Sequence, residues 1–114
     1  MDRHDAAWAA GERARLLAAP EAVDELADAS LQRVARSYLR NGSLSVMPRG
    51  GSKRTTLLTY LVTAFEPGVH YSEVEVNDVV RTWNPDVAML RRYLVDEGLL
   101  DRADGQYWRC GGPL

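Results

Sequence analysis

The sequence predicts a mainly α-helical chain with a small β hairpin, and three observations support this prediction. Ser72 and Glu75 have the spacing of a capping box, which starts a helix. A second helical pattern, residues 86–97, follows after only a few residues. Two short candidate strands then flank Asp104-Gly105, a dipeptide suited to a tight turn. Two closely spaced helices followed by a hairpin are typical of the back half of a winged helix-turn-helix.

Length and composition indicate a single soluble globular domain. The chain has 114 residues, of which 46% are hydrophobic and 26% are charged, as in ordinary globular proteins. Fourteen Lys and Arg residues against sixteen Asp and Glu residues give a formal charge of −2. The chain therefore lacks the basic balance that is typical of nucleic-acid-binding proteins, so any DNA contact needs a local basic patch.

Cysteine, histidine and apolar patterns exclude several other classes. Cys110 is the single cysteine, and His4 and His70 form no cluster at zinc-ligand spacing. No apolar stretch approaches the roughly 18 to 20 residues that a membrane span needs, and the N-terminus is not a secretory signal. We therefore expect a cytoplasmic protein with no metal, no cofactor and no membrane association.

The N-terminal third of the chain predicts helices. Residues 5–19 are rich in alanine and predict a helix that needs a packing partner. After Pro20, apolar residues recur at helical spacing until Asn41-Gly42 supplies a C-terminal stop. The pattern leaves open whether this is one helix or two helices divided near Asp28 or Ser30.

A linker-like stretch, Pro48-Arg49-Gly50-Gly51, follows a short candidate strand at residues 44–47. We expect a seam here, with an N-terminal helical extension over residues 1–43 and a winged-helix domain over residues 44–114. The apolar residues of the extension should pack on this domain or on a second copy of the chain. We favour a homodimer, because two-fold dimers are the commonest oligomers.

The predicted winged-helix domain contains three helices and a hairpin, and local signals indicate where each helix begins or ends. Ser52 is the expected cap of its first helix, a dense apolar stripe that Pro67-Gly68 ends. Tyr71 and Val76 are placed as a hydrophobic staple around the capping box. Asn84-Pro85 is expected to supply the N-cap and first residue of the third helix. Gly98 should end that helix, and residues 99–102 and 106–110 should form the hairpin.

A long, ordered set of motifs resembles a known family. The motifs are the Leu44 strand with Pro48, Lys53-Arg54, Phe65-Glu66, the run from Tyr71 to Asn77, Asp86 with Leu90-Arg91-Arg92, the run from Val95 to Leu100, and Gly105-Gln106-Tyr107. From about residue 44 to residue 109, the chain resembles the bacterial domain-of-unknown-function family 2087, which often follows an arsenic-repressor-type DNA-binding domain in transcriptional regulators. The resemblance implies an association with transcription factors, but it implies no established biochemical activity. The segment before residue 44 is too short and too helical for a complete repressor domain, so DNA binding would fall to the winged helix.

Six basic residues are candidate DNA contacts, with residues 86–97 as the reading helix and the hairpin as the wing. They are Lys53, Arg54, Arg91, Arg92, Arg102 and Arg109. Arg92 is expected to point outward, whereas Arg91 is equally compatible with a DNA contact and with an ion pair to an acidic residue of the preceding helix. On the DNA hypothesis, all six should converge on one surface, since only a local patch can offset the negative charge.

The acidic and aromatic motif around the second helix is interpreted as structural. Its members are Tyr71, Ser72, Glu73, Glu75, Asn77 and Asp86. Two helical carboxylates two residues apart diverge, which is poor geometry for an acid–base pair, and no nucleophile or phosphate-loop motif is present. We therefore expect a transcriptional regulator that binds duplex DNA, not an enzyme. The alternative is a protein-interaction or dimerisation module without DNA affinity, favoured by the acidic second helix.

Overall fold

The protein is mainly helical, with two small antiparallel sheets. The computed structural model describes residues 3–113, without the side chains of Arg3 and His4. The elements in chain order are α1 (Arg3–Ala18), α2 (Pro20–Asp24), α3 (Ala29–Tyr38), β1 (Leu39–Arg40), β2 (Ser43–Leu44), α4 (Gly51–Leu61), a 3₁₀ turn (Val62–Ala64), β3 (His70–Ser72), α5 (Glu73–Val80), α6 (Val87–Asp96), β4 (Leu100–Ala103) and β5 (Gln106–Arg109). No helix within residues 3–113 is both long and apolar enough to cross a membrane.

Helix α1 packs on α5 through small side chains. Ala6, Ala10, Ala14 and Ala18 recur every four residues, and all four are buried. Small side chains at this spacing share one face of a helix and allow a close approach to its neighbour. The alanine-rich helix expected from the sequence is therefore confirmed, and it packs against the body of the same chain.

Three long-range hydrogen bonds attach α1 to the rest of the molecule. Trp83 Nε1 donates to the Ala14 carbonyl at 2.9 Å, the Tyr60 hydroxyl donates to the Leu17 carbonyl, and Arg13 Nε donates to the Ala64 carbonyl at 2.9 Å. Buried polar groups need such partners. One buried cluster runs through the extension and the body, while the proposed division after residue 43 stays a prediction.

The sequence left open whether the segment after α1 forms one helix or two. It forms two helices, because Asp28 caps α3 by accepting a hydrogen bond from the Leu31 amide at 3.0 Å. The expected helix end at Asn41-Gly42 was wrong. Both residues have positive φ angles, 54° and 82°, and form the turn of a short hairpin in which β1 pairs with β2. The expected strand at 44–47 was also wrong in extent, since pairing stops at Leu44.

Helix α4 supplies the centre of the core, as its apolar stripe predicted. Leu57, Leu58 and Leu61 are fully buried. The expected cap at Ser52 was wrong, because the N-cap is Gly50, two residues earlier, and the helix has no side-chain cap. The helix also ends before Pro67, since the 3₁₀ turn follows Leu61.

The capping box at the start of α5 is confirmed. The Ser72 amide donates to Glu75 Oε1 at 2.7 Å, and the Glu75 amide donates to Ser72 Oγ at 3.1 Å. The expected cap of α6 at Asn84 was wrong: Asp86 is the N-cap and accepts from the Met89 amide at 3.1 Å. Asn84 instead joins the turn to β2, by accepting from the Asp86 amide and donating to the Leu44 carbonyl.

The second sheet has the strand order β3-β5-β4 and is antiparallel throughout. The hairpin β4–β5 turns at Asp104 and Gly105, with φ angles of 53° and 76°, which confirms the predicted turn. Strand β3 pairs Tyr71 with Tyr107 and brings the start of α5 beside the hairpin. Gly98 has a φ angle of 73° and ends α6 as expected.

Candidate nucleic-acid interface

Helix α6 has one face in the core and one face open to solvent. Leu90 and Leu94 are fully buried, whereas Ala88, Arg92 and Asp96 are exposed. Residues three and four apart share a helix face, which explains why these two sets separate. The exposed face is therefore available to a partner, and it carries one cation and one carboxylate.

Arg91 belongs to the joint between α5 and α6. Its Nη1 donates to Asn77 Oδ1, and its Nε lies 3.5 Å from Glu73 Oε1. Only 19% of the Arg91 side chain is exposed. The ion pair that the sequence left open is present, and it directs Arg91 toward the preceding helix.

Arg54 is also engaged within the protein. Its Nε donates to Glu97 Oε1 at 3.1 Å, and its guanidinium lies 4.4 Å from the centre of the Tyr93 ring. Thr55 donates to the other oxygen of Glu97 at 3.0 Å. These contacts attach the first turn of α4 to the C-terminal end of α6.

Arg92 also lies over the Tyr93 ring, and it is exposed to solvent. Its guanidinium lies 5.3 Å from the same ring centre, within cation–π range. Lys53, next to Arg54 in the first turn of α4, is exposed and lines a groove between α3 and α4. We call Lys53, Arg54 and Arg92 the basic cluster. Glu97 is the carboxylate in contact with it within residues 3–113.

The hairpin cations lie outside this cluster. The Tyr107 hydroxyl forms a hydrogen bond with Arg102 and raises the pKa of the guanidinium, and the nearby carboxylates of Glu73 and Asp96 act in the same direction. Asp101 and Asp104 are exposed on the same hairpin. The hairpin therefore presents more negative than positive charge to solvent.

Arg109 faces the interior. It donates to the Gly111 carbonyl at 3.0 Å and to the Phe65 carbonyl at 3.2 Å, and burial lowers its pKa. The expectation that all six cations converge on one surface was wrong. Arg54 and Arg92 both lie over the Tyr93 ring, and Lys53 precedes Arg54 in α4 but lines the α3–α4 groove. Arg102 lies on the hairpin, and Arg91 and Arg109 bind internal partners. A role in DNA binding stays a prediction for each of them.

Several of the residues interpreted as structural join neighbouring segments of the chain. Glu73 Oε1 lies near Arg91 and accepts from the Tyr107 hydroxyl at 3.2 Å. Tyr71 is buried in β3, and its hydroxyl accepts from the Glu66 amide at 3.0 Å. Asn77 Oδ1 accepts a hydrogen bond from Arg91 Nη1. The structural interpretation of these residues stays a prediction.

Sequence reasoning missed two contributors to this region. Tyr93 was not considered as a contact for cations, yet it is half-buried and the Arg54 and Arg92 guanidiniums lie over its ring. Arg33 was not considered, although it lines the α3–α4 groove with Lys53. The spacing of Ser30, Arg33 and Ser37 on one helical face was the available signal. Among the described residues, no group of three His, Cys, Asp or Glu could hold a metal ion.

Comparison with protein families gives one assignment. A model of uncharacterised proteins conserved in bacteria, the DUF2087 family, matches residues 43–109. The chain belongs to this family. The matched part begins at β2 and includes α4 to β5, so the DUF2087 segment contains the basic cluster, while α1, α2 and α3 precede it. Neither the curated proteins nor the solved structures compared with the chain give a match.

Proposed function

We propose that the DUF2087 segment is a winged helix-turn-helix and that this protein is a transcriptional regulator that binds duplex DNA. The order of its elements supports the proposed fold: helix α4, strand β3, helices α5 and α6, then the hairpin β4–β5. In such a fold, α6 is the reading helix and the hairpin is the wing. The exposed face of α6 would then enter the major groove.

The basic cluster is the observation that carries the DNA proposal. Glu97 compensates Arg54, so Lys53 and Arg92 are left without a carboxylate partner among the described residues. A chain with a net charge of −2 needs a local patch of this kind to attract phosphates. Arg92 would contact a base edge or phosphate from α6, and Lys53 would contact the backbone. Arg54 would hold the two helices together.

Carboxylates near the cluster favour a second function, a protein-interaction module. Asp86, Asp96, Asp101 and Asp104 are all exposed on α6, its cap and the hairpin. An acidic surface opposes phosphate binding and favours a basic partner. An arginine-rich peptide would bind this face, and replacing Asp96 and Asp101 with Asn would weaken that binding.

A fluorescence-anisotropy titration with labelled duplex fragments at low salt separates the two functions. The DNA proposal predicts salt-sensitive binding, and replacing both Lys53 and Arg92 with Ala should weaken it by about 1–3 kcal/mol for each base contact that is lost. Arg15→Ala is the matched control, because Arg15 is exposed on α1 and paired with Glu12. A folded wild-type sample that binds no duplex at tens of micromolar protein would leave the interaction module as the better proposal.

We also propose a homodimer formed through exposed apolar residues of α1 and α5. Trp8 and Val74 are each 68% exposed, and Leu16 is 54% exposed. A second copy of the chain would remove this apolar surface from water. Light scattering at micromolar concentration should give the mass of two chains, and Trp8→Ser should lower it. A wild-type monomer would remove the dimer from the proposal.

A further inference from the structure

A groove between α3 and α4 contains Arg33, a cation that the proposed DNA contact does not use. Its volume is about 440 Å³, within the range of small-molecule sites. Arg33 lines it from α3, and Lys53 lines it from the first turn of α4. Helix α3 precedes the family-matched segment, so the two walls come from different parts of the chain.

The two cations of the groove have no carboxylate beside them. No Asp or Glu lines the groove, and neither cation forms an ion pair within residues 3–113. Arg33 Nη2 has only a long contact, 3.4 Å, to Ser30 Oγ. Lys53 also opposes the helix dipole, because cations are unfavourable in the first turn of a helix. Two like charges in one groove repel each other, and an anion bound between them would remove that repulsion.

Hydroxyl groups surround the two cations. Ser30 and Ser37 lie on α3, and Ser52 and Thr56 lie one turn apart on α4. The Ser37 hydroxyl donates to the Arg33 carbonyl at 2.9 Å. Ser52 and Thr56 form no side-chain hydrogen bond in the described part of the chain, so their hydroxyls can donate to a ligand. Cations with several hydroxyl donors are the chemistry that recognises a phosphate group.

The remaining wall of the groove is apolar. Val34 and Tyr38 are half-buried there. An apolar wall beside a cationic end suits a ligand that has both a phosphate and an apolar or aromatic part.

We propose that the α3–α4 groove binds a small phosphorylated molecule. Arg33 and Lys53 hold its phosphate, Ser52 and Thr56 donate hydrogen bonds, and Tyr38 and Val34 contact its apolar part. This site only partly overlaps the proposed DNA interface, since Arg33 lies outside the basic cluster. Lys53 is common to both, so the test relies on Arg33 and Arg92 to separate them.

Titration of the full-length ¹⁵N-labelled protein with phenyl phosphate, followed by NMR, tests this site. Saturable shifts should appear at amides of α3 and the first two turns of α4. Inorganic phosphate should bind several-fold more weakly, because it lacks the apolar part, and sodium chloride at equal ionic strength should give no such shifts. Shifts spread over the whole surface, or equal shifts with chloride, would overturn the proposal.

Variants assign the binding to the groove. Replacing Arg33 and Lys53 with Gln should weaken phenyl phosphate binding about tenfold or more. Both side chains are exposed, so the spectrum should stay that of a folded protein. Arg36→Gln is the matched control on the same helix, since Arg36 pairs with Asp24 outside the groove. Unchanged affinity in the double variant, or an equal loss in the control, would refute the site.

A parallel titration with duplex DNA distinguishes binding of a small ligand in the groove from binding of a DNA backbone phosphate. Arg92→Gln should leave phenyl phosphate binding unchanged while it weakens duplex binding, and Arg33→Gln should do the reverse. Groove shifts that appear with duplex but not with phenyl phosphate would make the groove a backbone contact and overturn the proposal. Failure of duplex binding alone would contradict the DNA function and leave this site intact.

Discussion

At the scale of single residues, Arg91 and Arg92 differ in almost every respect although they are adjacent. Arg91 is 19% exposed and binds Asn77 and Glu73, whereas Arg92 is exposed and contacts only the Tyr93 ring among its described neighbours. Adjacent helical positions point about 100° apart, so one joins the helix pair and the other faces solvent. The two arginines should therefore affect different properties of the protein.

Single alanine variants separate stability from binding. Arg91→Ala should lower the free energy of unfolding by on the order of 1–2 kcal/mol. The substitution removes the charged hydrogen bond to Asn77 and the ion pair with Glu73, which solvent screens. Arg92→Ala should change the free energy of unfolding by less than about 0.5 kcal/mol. Urea denaturation measures both. Equal stability of the two variants would show that the joint between α5 and α6 does not depend on Arg91.

Two buried tyrosines predict a loss of stability in alkali. Burial raises the pKa of Tyr60 and of Tyr71 above the usual value of 10.0. The folded state disfavours both phenolates, so the neutral tyrosines contribute to the free energy of unfolding. This contribution is complete below the unfolded-state pKa and is lost as the pH rises through the folded-state pKa values. The free energy of unfolding should therefore fall above about pH 10, and a Tyr60→Phe, Tyr71→Phe variant should fall less. An alkaline slope unchanged in that variant would assign the loss to other groups.

At the scale of elements, the capping of α4 and α6 gives a matched pair of substitutions. Asp86 accepts a hydrogen bond from the first turn of α6, whereas Ser52 makes no cap bond to α4. Asp86→Ala should cost about 0.5–2 kcal/mol of stability, and Ser52→Ala should cost less than about 0.5 kcal/mol. Thermal or urea unfolding gives both values. A larger loss at Ser52 would contradict the helix start at Gly51.

Elements with a local signal were predictable from the sequence. The capping box of Ser72 and Glu75, the stop at Gly98 and the Asp104-Gly105 turn each depend on residues a few positions apart. Strands β1 and β3 were not predicted, because they are two and three residues long and exist through pairing with other segments. The cap predicted at Asn84 was wrong for the same reason, since the Asn84 side chain donates a hydrogen bond to the Leu44 carbonyl, far away in sequence.

The candidate interface was less predictable than the fold. The outward position of Arg92 followed from helical spacing alone. Arg54 pairs with Glu97, 43 residues away, and Arg109 donates to the Phe65 carbonyl, 44 residues away, as well as to the nearby Gly111 carbonyl. No local pattern contains such pairs, so the sequence could not distinguish an internal arginine from an exposed one at these positions.

At the scale of the whole molecule, the net charge of −2 conceals a local separation of charge. Cations gather around Tyr93 and the first turn of α4, while exposed carboxylates occupy the hairpin and the ends of α6. A duplex that approached along α6 would meet attraction on one side and repulsion on the other. We therefore predict weak, salt-sensitive binding that is centred on the basic cluster and away from the hairpin tip.

An NMR footprint of a duplex fragment on the ¹⁵N-labelled protein at low salt shows whether the duplex binds at the basic cluster. Amide shifts should concentrate at Lys53, Arg54 and the exposed turn of α6 around Arg92, and they should fade as salt is added. Shifts confined to α1 or the hairpin tip, or no shifts at all in a folded sample, would contradict the proposed interface.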